Sequence, residues 1–124
     1  MRTAIMIAFA LLFVTAAQGQ SAGKYAISGR PLKLSFFNST NPDCSSPGRP
    51  TIRLSRAPEH GRVSLRQTMD FPSSRSQCHQ RRVAGTALYY VSQRGFSGTD
   101  YVQADVIFAS GNLRPYSYTV NVIP

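Results

Sequence analysis

Two cysteines and two histidines are the residues whose types could carry redox or metal chemistry: Cys44, Cys78, His60 and His79. A thiol redox pair usually lies in a Cys-x-x-Cys motif, and a structural zinc site needs four ligands at short, regular spacings. Neither cysteine belongs to such a motif, and the four residues have no recognised ligand spacing. Their positions therefore predict no metal and no redox centre.

The sequence also contains no motif that indicates hydrolytic catalysis. Asp70, Ser73 and His79 could be assembled into a Ser/His/Asp arrangement, but no Gly-x-Ser-x-Gly elbow surrounds the serine. The sequence also has no paired carboxylates, no phosphate-binding glycine loop and no metal-binding motif. We therefore expect a protein that is not an enzyme and that needs no cofactor.

Arginine is the residue type whose abundance does indicate a chemistry. The chain has 14 Lys and Arg against 5 Asp and Glu, a formal charge of +9 at pH 7. The planar guanidinium group suits carboxylate, sulfate and phosphate groups. The candidate anion- or partner-binding residues are Arg53, Arg62 and Arg66 in predicted strands, where alternation with apolar residues points them outward, and Arg75, Arg81, Arg82 and Arg94 in predicted loops. The alternative interpretation is that the charge only keeps a small protein soluble.

Residues 1–19 have the pattern of a secretory signal peptide. Arg2 supplies a positive start, residues 4–14 form an unbroken apolar run, and Ala17 and Gly19 place small residues before a cleavage site. The run is too short for a membrane anchor, because a span takes about 20 apolar residues. We expect cleavage after Gly19 or Ala17, export to the periplasm or the medium, and no membrane span. Loss of Arg2 leaves 13 basic and 5 acidic residues, a charge of +8.

Export changes the interpretation of the two cysteines. An oxidising compartment favours a disulfide between Cys44 and Cys78. It would close a loop of about 35 residues, for which the chain-entropy estimate is roughly 4 kcal/mol of stabilisation. The cysteines lie in the polar segments 38–50 and 67–82. We therefore expect the disulfide either to join two loops or to pin one loop against the rim of a sheet.

The rest of the chain alternates apolar and polar residues in short segments, as strands with one buried face do. The segments are residues 32–36, 51–54, 62–66, 101–108 and 118–123, with shorter ones at 87–92 and 25–27. Turn-forming residues separate these segments, and the sequence after the expected signal peptide shows no helical periodicity. About seven short strands in one domain, residues 20–124, predict an all-β fold in which two antiparallel sheets pack as a sandwich.

Three motifs resemble those of bacterial immunoglobulin-like and cadherin-like extracellular domains. Residues 57–65, APEHGRVSL, are similar to the Pro-x-x-Gly-x-Val segment of that family. Residues 88–92, LYYVS, and 94–100, RGFSGTD, resemble its Tyr-x-Pro strand and its Gly-Phe-x-Gly-x-Asp turn. Residues 118–122, YTVNV, resemble its last strand. The resemblance covers residues 31–123 and implies an immunoglobulin-like β-sandwich.

The turn in this resemblance also has a physical interpretation. Gly95 and Gly98 can adopt positive φ, which lets the chain reverse tightly. Phe96 between them can point inward and close one end of the sandwich, and Asp100 can accept backbone N–H bonds from its own turn. We expect these four residues to be structural. A calcium site would need 6–8 oxygen ligands, whereas the 5 carboxylates are scattered along the chain.

Together these features predict an exported, non-catalytic binding module. The expected partner is anionic envelope material, such as polysaccharide or lipopolysaccharide, or another protein, bound through arginine-bearing faces and loops. The alternative is a secreted inhibitor or accessory subunit whose disulfide-tethered loop enters a cleft of another protein. Specific nucleic-acid recognition is not expected, because the sequence has no basic helix and export separates the protein from the genome.

Overall fold

Alternating apolar residues produce seven strands in the computed structural model, which describes residues 21–124 and their side chains from Gly23 onward. They are β1 (Ser21–Ile27), β2 (Leu32–Asn38), β3 (Thr51–Arg56), β4 (Gly61–Asp70), β5 (Val83–Ser92), β6 (Gly98–Ile107) and β7 (Leu113–Ile123). This part of the chain contains no helix, so none that could cross a membrane. The expected signal peptide lies outside the described residues.

The strands form two sheets, with the orders β1-β7-β6-β3 and β2-β5-β4. Every pairing is antiparallel except that of β1 with β7, which runs parallel from Ser21 opposite Ser117 to Ile27 opposite Ile123. The predicted all-β fold with seven strands is confirmed. The expectation of antiparallel sheets throughout is not met, because β1 lies beside β7 in one sheet before the chain crosses to β2 in the other.

Several strands are longer than the sequence pattern predicted. β4 continues to Asp70 and so includes residues 67–70, which were expected in a loop. β6 begins at Gly98 and β7 at Leu113, inside the predicted turns. The added residues do not alternate between apolar and polar, so the pattern could not identify them. They belong to the strands because they pair with a neighbouring strand, as Asp70 does with Val83 and Thr99 with Asn121.

The core lies between the inner faces of the two sheets. One sheet contributes Ile52, Val102, Ala104, Val106, Tyr118, Val120 and Val122, and the other contributes Leu34, Phe37, Leu88 and Tyr90. The predicted alternation of residues 102, 104 and 106 is therefore observed as burial. A β-bulge between Lys33 and Ser35 displaces β2 locally, and the Ser35 hydroxyl lies 2.6 Å from that of Tyr118 in the opposite sheet.

The strand directions place the connections at two ends of the sandwich. The turns 28–31, 57–60 and 93–97 meet at one end, which we call the aspartate end because Asp100 lies there. The loops 39–50, 71–82 and 108–112 meet at the other, the disulfide end. There Cys44 and Cys78 form the predicted disulfide, with Cα atoms 5.6 Å apart. It joins two loops, and the Gln77 side-chain amide also donates to the carbonyl of Pro42 at 3.3 Å.

Leu88 and Leu65 are cross-strand partners of unequal burial, which gives a test of the core. Leu88 has no exposed surface, whereas Leu65 on the edge strand β4 is 50% exposed. We expect Leu88→Ala to lower the free energy of unfolding by about 2–5 kcal/mol, because it leaves a cavity. Leu65→Ala should cost about 1 kcal/mol, because much of its surface is already in water. Urea denaturation measures both losses, and equal losses would contradict this packing.

Candidate functional site

Asp100 is a buried charge at the start of β6, and its carboxylate is fully engaged. The residue is 2% exposed. Its Oδ1 accepts hydrogen bonds from the backbone N–H groups of Glu59 and Tyr101, each at 3.0 Å. Its Oδ2 accepts from the N–H of His60 at 3.1 Å and from the hydroxyl of Tyr90 at 2.8 Å. The carboxylate therefore ties β6 to the β3–β4 turn and to β5 of the opposite sheet.

Asp100 accepts hydrogen bonds from more distant parts of the chain than the sequence predicted. Only the Tyr101 N–H is local, whereas the Glu59 and His60 donors come from residues about 40 positions earlier in the chain. Burial, and then the hydrogen bond and charge of Asp100, raise the pKa of Tyr90. Tyr90 therefore stays protonated and acts as a donor.

The neighbouring turn packs as a unit around Phe96. Gly95 and Gly98 adopt φ values of 83° and 137°, which are strained for residues with a side chain. Phe96 is partly buried against the core, and its ring stacks on that of His60, with centroids 4.2 Å apart and planes 7° from parallel. His60 thus contributes to packing at the aspartate end.

Asp70, Ser73 and His79, the residues considered for a Ser/His/Asp triad, do not bind one another in the structure. The Asp70 carboxylate accepts from the Lys33 ammonium and from the Phe71 N–H at 2.7 Å. Nδ1 of His79 lies 2.9 Å from the carbonyl of Ser76. No hydrogen bond joins Asp70, Ser73 and His79, and no group of three or more His, Cys, Asp or Glu within residues 21–124 could hold a metal ion.

The structure distributes the seven candidate arginines over four regions, all of them exposed. Arg62 and Arg94 lie at the aspartate end, Arg66 on the outer face of the β2-β5-β4 sheet, Arg53 on the outer face of the other sheet, and Arg75, Arg81 and Arg82 in the disulfide-end loop. They therefore do not form one site. Arg53 lies opposite Asp105 in register, whereas the cross-strand neighbour of Arg62 is Val91.

None of the arginines from Arg30 to Arg114 has a carboxylate oxygen within 4.0 Å. In the described chain the close acid–base pairs are Lys33–Asp70 and Glu59–His60, the latter at 3.9 Å and charged only when the histidine is protonated. Asp105 lies opposite Arg53 in register, but no oxygen of its carboxylate is within 4.0 Å of the guanidinium group. Asp100 is buried, and the hydroxyl and N–H of Ser45 hold the pKa of Asp43 below its usual range. The arginine charge is therefore available to a ligand.

Three of these arginines lie over aromatic rings. The guanidinium carbon is 4.8 Å from the ring centre for Arg56 on Tyr101, and 5.5 Å both for Arg66 on Tyr89 and for Arg82 on Phe71. Such cation–π contacts hold the cation in place without using its N–H donors in hydrogen bonds. The aromatic neighbours therefore restrict the guanidinium groups and leave their donors accessible.

Arg62 and Arg66 belong to a surface that we call the basic face, the outer side of the β2-β5-β4 sheet. At its aspartate end is a groove of about 450 Å³ between Arg62 and Arg94. Its other lining residues are Gly29, Gly61, Val91, Ser92 and Gln93. Alternation predicted that Arg62 points outward. No local pattern could show that Arg94, in a turn after β5, lies beside the first residues of β4.

Comparisons with known proteins do not supply a family for this chain. A scan against protein-family models, a search of curated proteins and a search of solved structures each found no match. The function is therefore inferred from the surfaces described above.

Asp100→Asn should destabilise the protein strongly. The amide keeps one acceptor oxygen but turns an NH2 group towards donors that then lose their partner, which costs about 2–4 kcal/mol. Tyr90→Phe removes one donor and should cost about 1–2 kcal/mol. Asp105→Asn is the matched control on the same strand, because the Asp105 side chain is not buried, and it should change stability by less than about 0.5 kcal/mol. Urea denaturation measures all three, and a neutral Asp100→Asn would refute the structural role of the carboxylate.

Tyr90 also predicts sensitivity to alkali. Its pKa in the folded protein is raised above the ordinary value of 10.0, so the unfolded chain loses the phenolic proton first. This contribution to stability is complete below pH 10 and is lost as the pH rises from there towards the raised pKa. Burial of Tyr118 acts in the same direction. Urea unfolding between about pH 9 and pH 11.5 should show the decline, and Tyr90→Phe should make it shallower. The same slope in both proteins would contradict the assignment.

Proposed function

We propose that the protein is exported, that residues 20–124 form an immunoglobulin-like β-sandwich, and that this domain binds anionic envelope material without catalysing a reaction. The topology supports the fold assignment. Immunoglobulin-type domains place strands B, E and D in one sheet and C, F and G in the other. The orders β2-β5-β4 and β3-β6-β7 match this arrangement when the strands are lettered along the chain. β1, in the position of strand A, departs from it, because it lies beside β7 instead of in the sheet with β2.

The observation that carries the binding proposal is that no arginine from Arg30 to Arg114 has a carboxylate oxygen within 4.0 Å. Arg81 and Arg82 are near enough to Asp43 and Asp70 for their charges to help lower the pKa of those carboxyl groups, but they form no close ion pair with them. Unpaired like charges repel one another in the compact state, so a surplus of this kind has a cost. A polyanion supplies the missing partners and releases its own counterions, which favours binding at low salt. Phosphate, sulfate and carboxylate groups of envelope polysaccharides have the geometry that a guanidinium recognises.

The disulfide-end loop favours the second candidate, an inhibitor or accessory subunit. Cys78 is 1% exposed and is joined to Cys44, while Arg75, Arg81 and Arg82 in the same loop remain exposed. A loop fixed in this way loses little conformational freedom when it enters a cleft of another protein. Binding of that kind should require the intact disulfide and should depend little on salt.

A salt titration separates the two candidates. We expect residues 20–124 to bind dextran sulfate and polygalacturonate in a direct binding assay, but not neutral dextran. Affinity should fall by about tenfold or more between 50 and 300 mM NaCl, because counterion release drives the association. Equal retention on charged and neutral dextran would contradict anion binding.

A pull-down from envelope extract tests the disulfide-end loop, with wild type compared with Arg75/Arg81/Arg82→Ala. Capture of a protein that survives high salt and is lost on reduction supports the accessory-subunit candidate. Equal capture by wild type and the triple variant would show that the three arginines are not the binding surface.

A further inference from the structure

The groove between Arg62 and Arg94 is built from two turns that are far apart in the sequence and tied together. The N–H of Gly29 donates to the hydroxyl of Ser92 at 3.0 Å. The N–H of Gly95 donates to the hydroxyl of Ser28 at 3.1 Å, and that hydroxyl lies 3.3 Å from the carbonyl of Gln93, to which it donates. These bonds fix the turn 28–31 against the turn 93–97, so the groove has one rigid wall.

Gly29 determines where the Arg94 side chain runs. Its φ is 72°, and a β-carbon at this position would lie 2.9 Å from Cγ of Arg94. The absence of a side chain lets the stem of Arg94 lie directly against the backbone of the β1–β2 turn. On the opposite side, Gly61 begins β4 opposite Ser92 and places Arg62 beside Val91. Two guanidinium groups therefore border one groove.

The lining chemistry suits an acidic sugar. None of the lining residues is acidic, and both arginines lack a carboxylate partner. Val91 offers an apolar surface, against which the C–H groups of a sugar ring can pack. The Gln93 side chain is exposed, and none of its amide atoms is hydrogen-bonded within residues 21–124, so it can donate to and accept from sugar hydroxyls. A volume of about 450 Å³ lies within the range of small-ligand sites.

We propose that the Arg62–Arg94 groove binds one acidic sugar unit, whose carboxylate, sulfate or phosphate group is held by the two arginines. This assignment rests on the proposed function and deepens it. In a polymer, the next units extend along the basic face towards Arg66, which is held over Tyr89. Arg66 is four residues beyond Arg62 on the same strand, roughly 13 Å away, so the groove and Arg66 contact different units of the chain.

The test titrates single sugars into uniformly ¹⁵N-labelled protein and follows the backbone amides by NMR. The probes are glucuronate, glucose 6-sulfate and glucose 6-phosphate, with glucose as the neutral control. We expect saturable shifts at Gly29, Gly61, Ser92 and Gln93 with one or more acidic sugars and none with glucose. The three acidic probes also distinguish which anionic group the groove prefers.

Two double variants separate a site from a general effect of charge. Arg62→Gln/Arg94→Gln removes both groove cations, and Arg56→Gln/Arg114→Gln removes the same charge from positions outside the groove and the basic face. The groove variant should weaken binding of the acidic sugar by about tenfold or more, the size of a lost charge-assisted pair. The control should stay within about twofold. Urea denaturation of both variants checks that they are folded.

Failure of the groove assignment and failure of the proposed function give different results. Equal weakening in both double variants, or shifts spread over the surface, would overturn the groove assignment. Polymer binding that depends on salt without any binding of single acidic sugars would also overturn it, while leaving the proposed function intact. Failure of the polymers to bind would instead refute the proposed function, and the sugar titration would still decide whether the groove is a site.

Discussion

The hydrogen bonds to the buried carboxylate of Asp100 are the interaction on which the aspartate end depends. A carboxylate removed from water is costly unless donors replace the solvent, and here the donors come from β5, from the β3–β4 turn and from the adjacent residue. Because Tyr90 and Asp100 belong to different sheets, their bond fixes the two sheets relative to each other. Because His60 directly precedes Gly61, the same carboxylate sets where β4 begins. The position of Arg62 is therefore a consequence of a buried interaction rather than of a surface one.

The connections at the two ends of the sandwich are ordered by different interactions. At the aspartate end the connections are short, and one buried carboxylate with hydrogen bonds between turns is enough to order them. At the disulfide end the loops 39–50 and 71–82 are longer and polar, with few apolar side chains to bury. A covalent link between them restricts the unfolded chain and so replaces the missing core. The arginines of that loop consequently sit on a cross-linked support, whereas Arg62 and Arg94 sit on a hydrogen-bonded one.

The sequence predicted those features of the fold that depend on the two-residue alternation of a strand. Alternation identified the inward positions Val102, Ala104 and Val106 and the outward arginines of β3 and β4, because burial on one face repeats every two residues. The signal-peptide pattern suggested the disulfide, because an oxidising compartment favours one. Three other features have no signature in the local sequence. They are the parallel pairing of β1 with β7, the distant donors to Asp100 and the approach of Arg94 to Arg62. Each joins segments that lie far apart along the chain, so each is determined by the assembled sandwich and not by its own residues.

The location of the surplus charge now distinguishes two faces that composition alone would treat as equal. On the β1-β7-β6-β3 sheet Arg53 faces Asp105 in register, so an approaching anion meets an opposing carboxylate. On the basic face Arg62 faces Val91 and Arg66 lies over Tyr89, both uncharged, and the carboxylate of Asp70 on β4 is paired with Lys33. At physiological salt a charge is screened within about 8 Å, so these immediate neighbours decide what a ligand experiences. Binding by net charge alone would involve both faces, since Arg56 on the β1-β7-β6-β3 sheet also lies over an uncharged ring, that of Tyr101. The groove differs from both faces because it brings two arginines together in a concave surface whose lining residues include no acidic side chain.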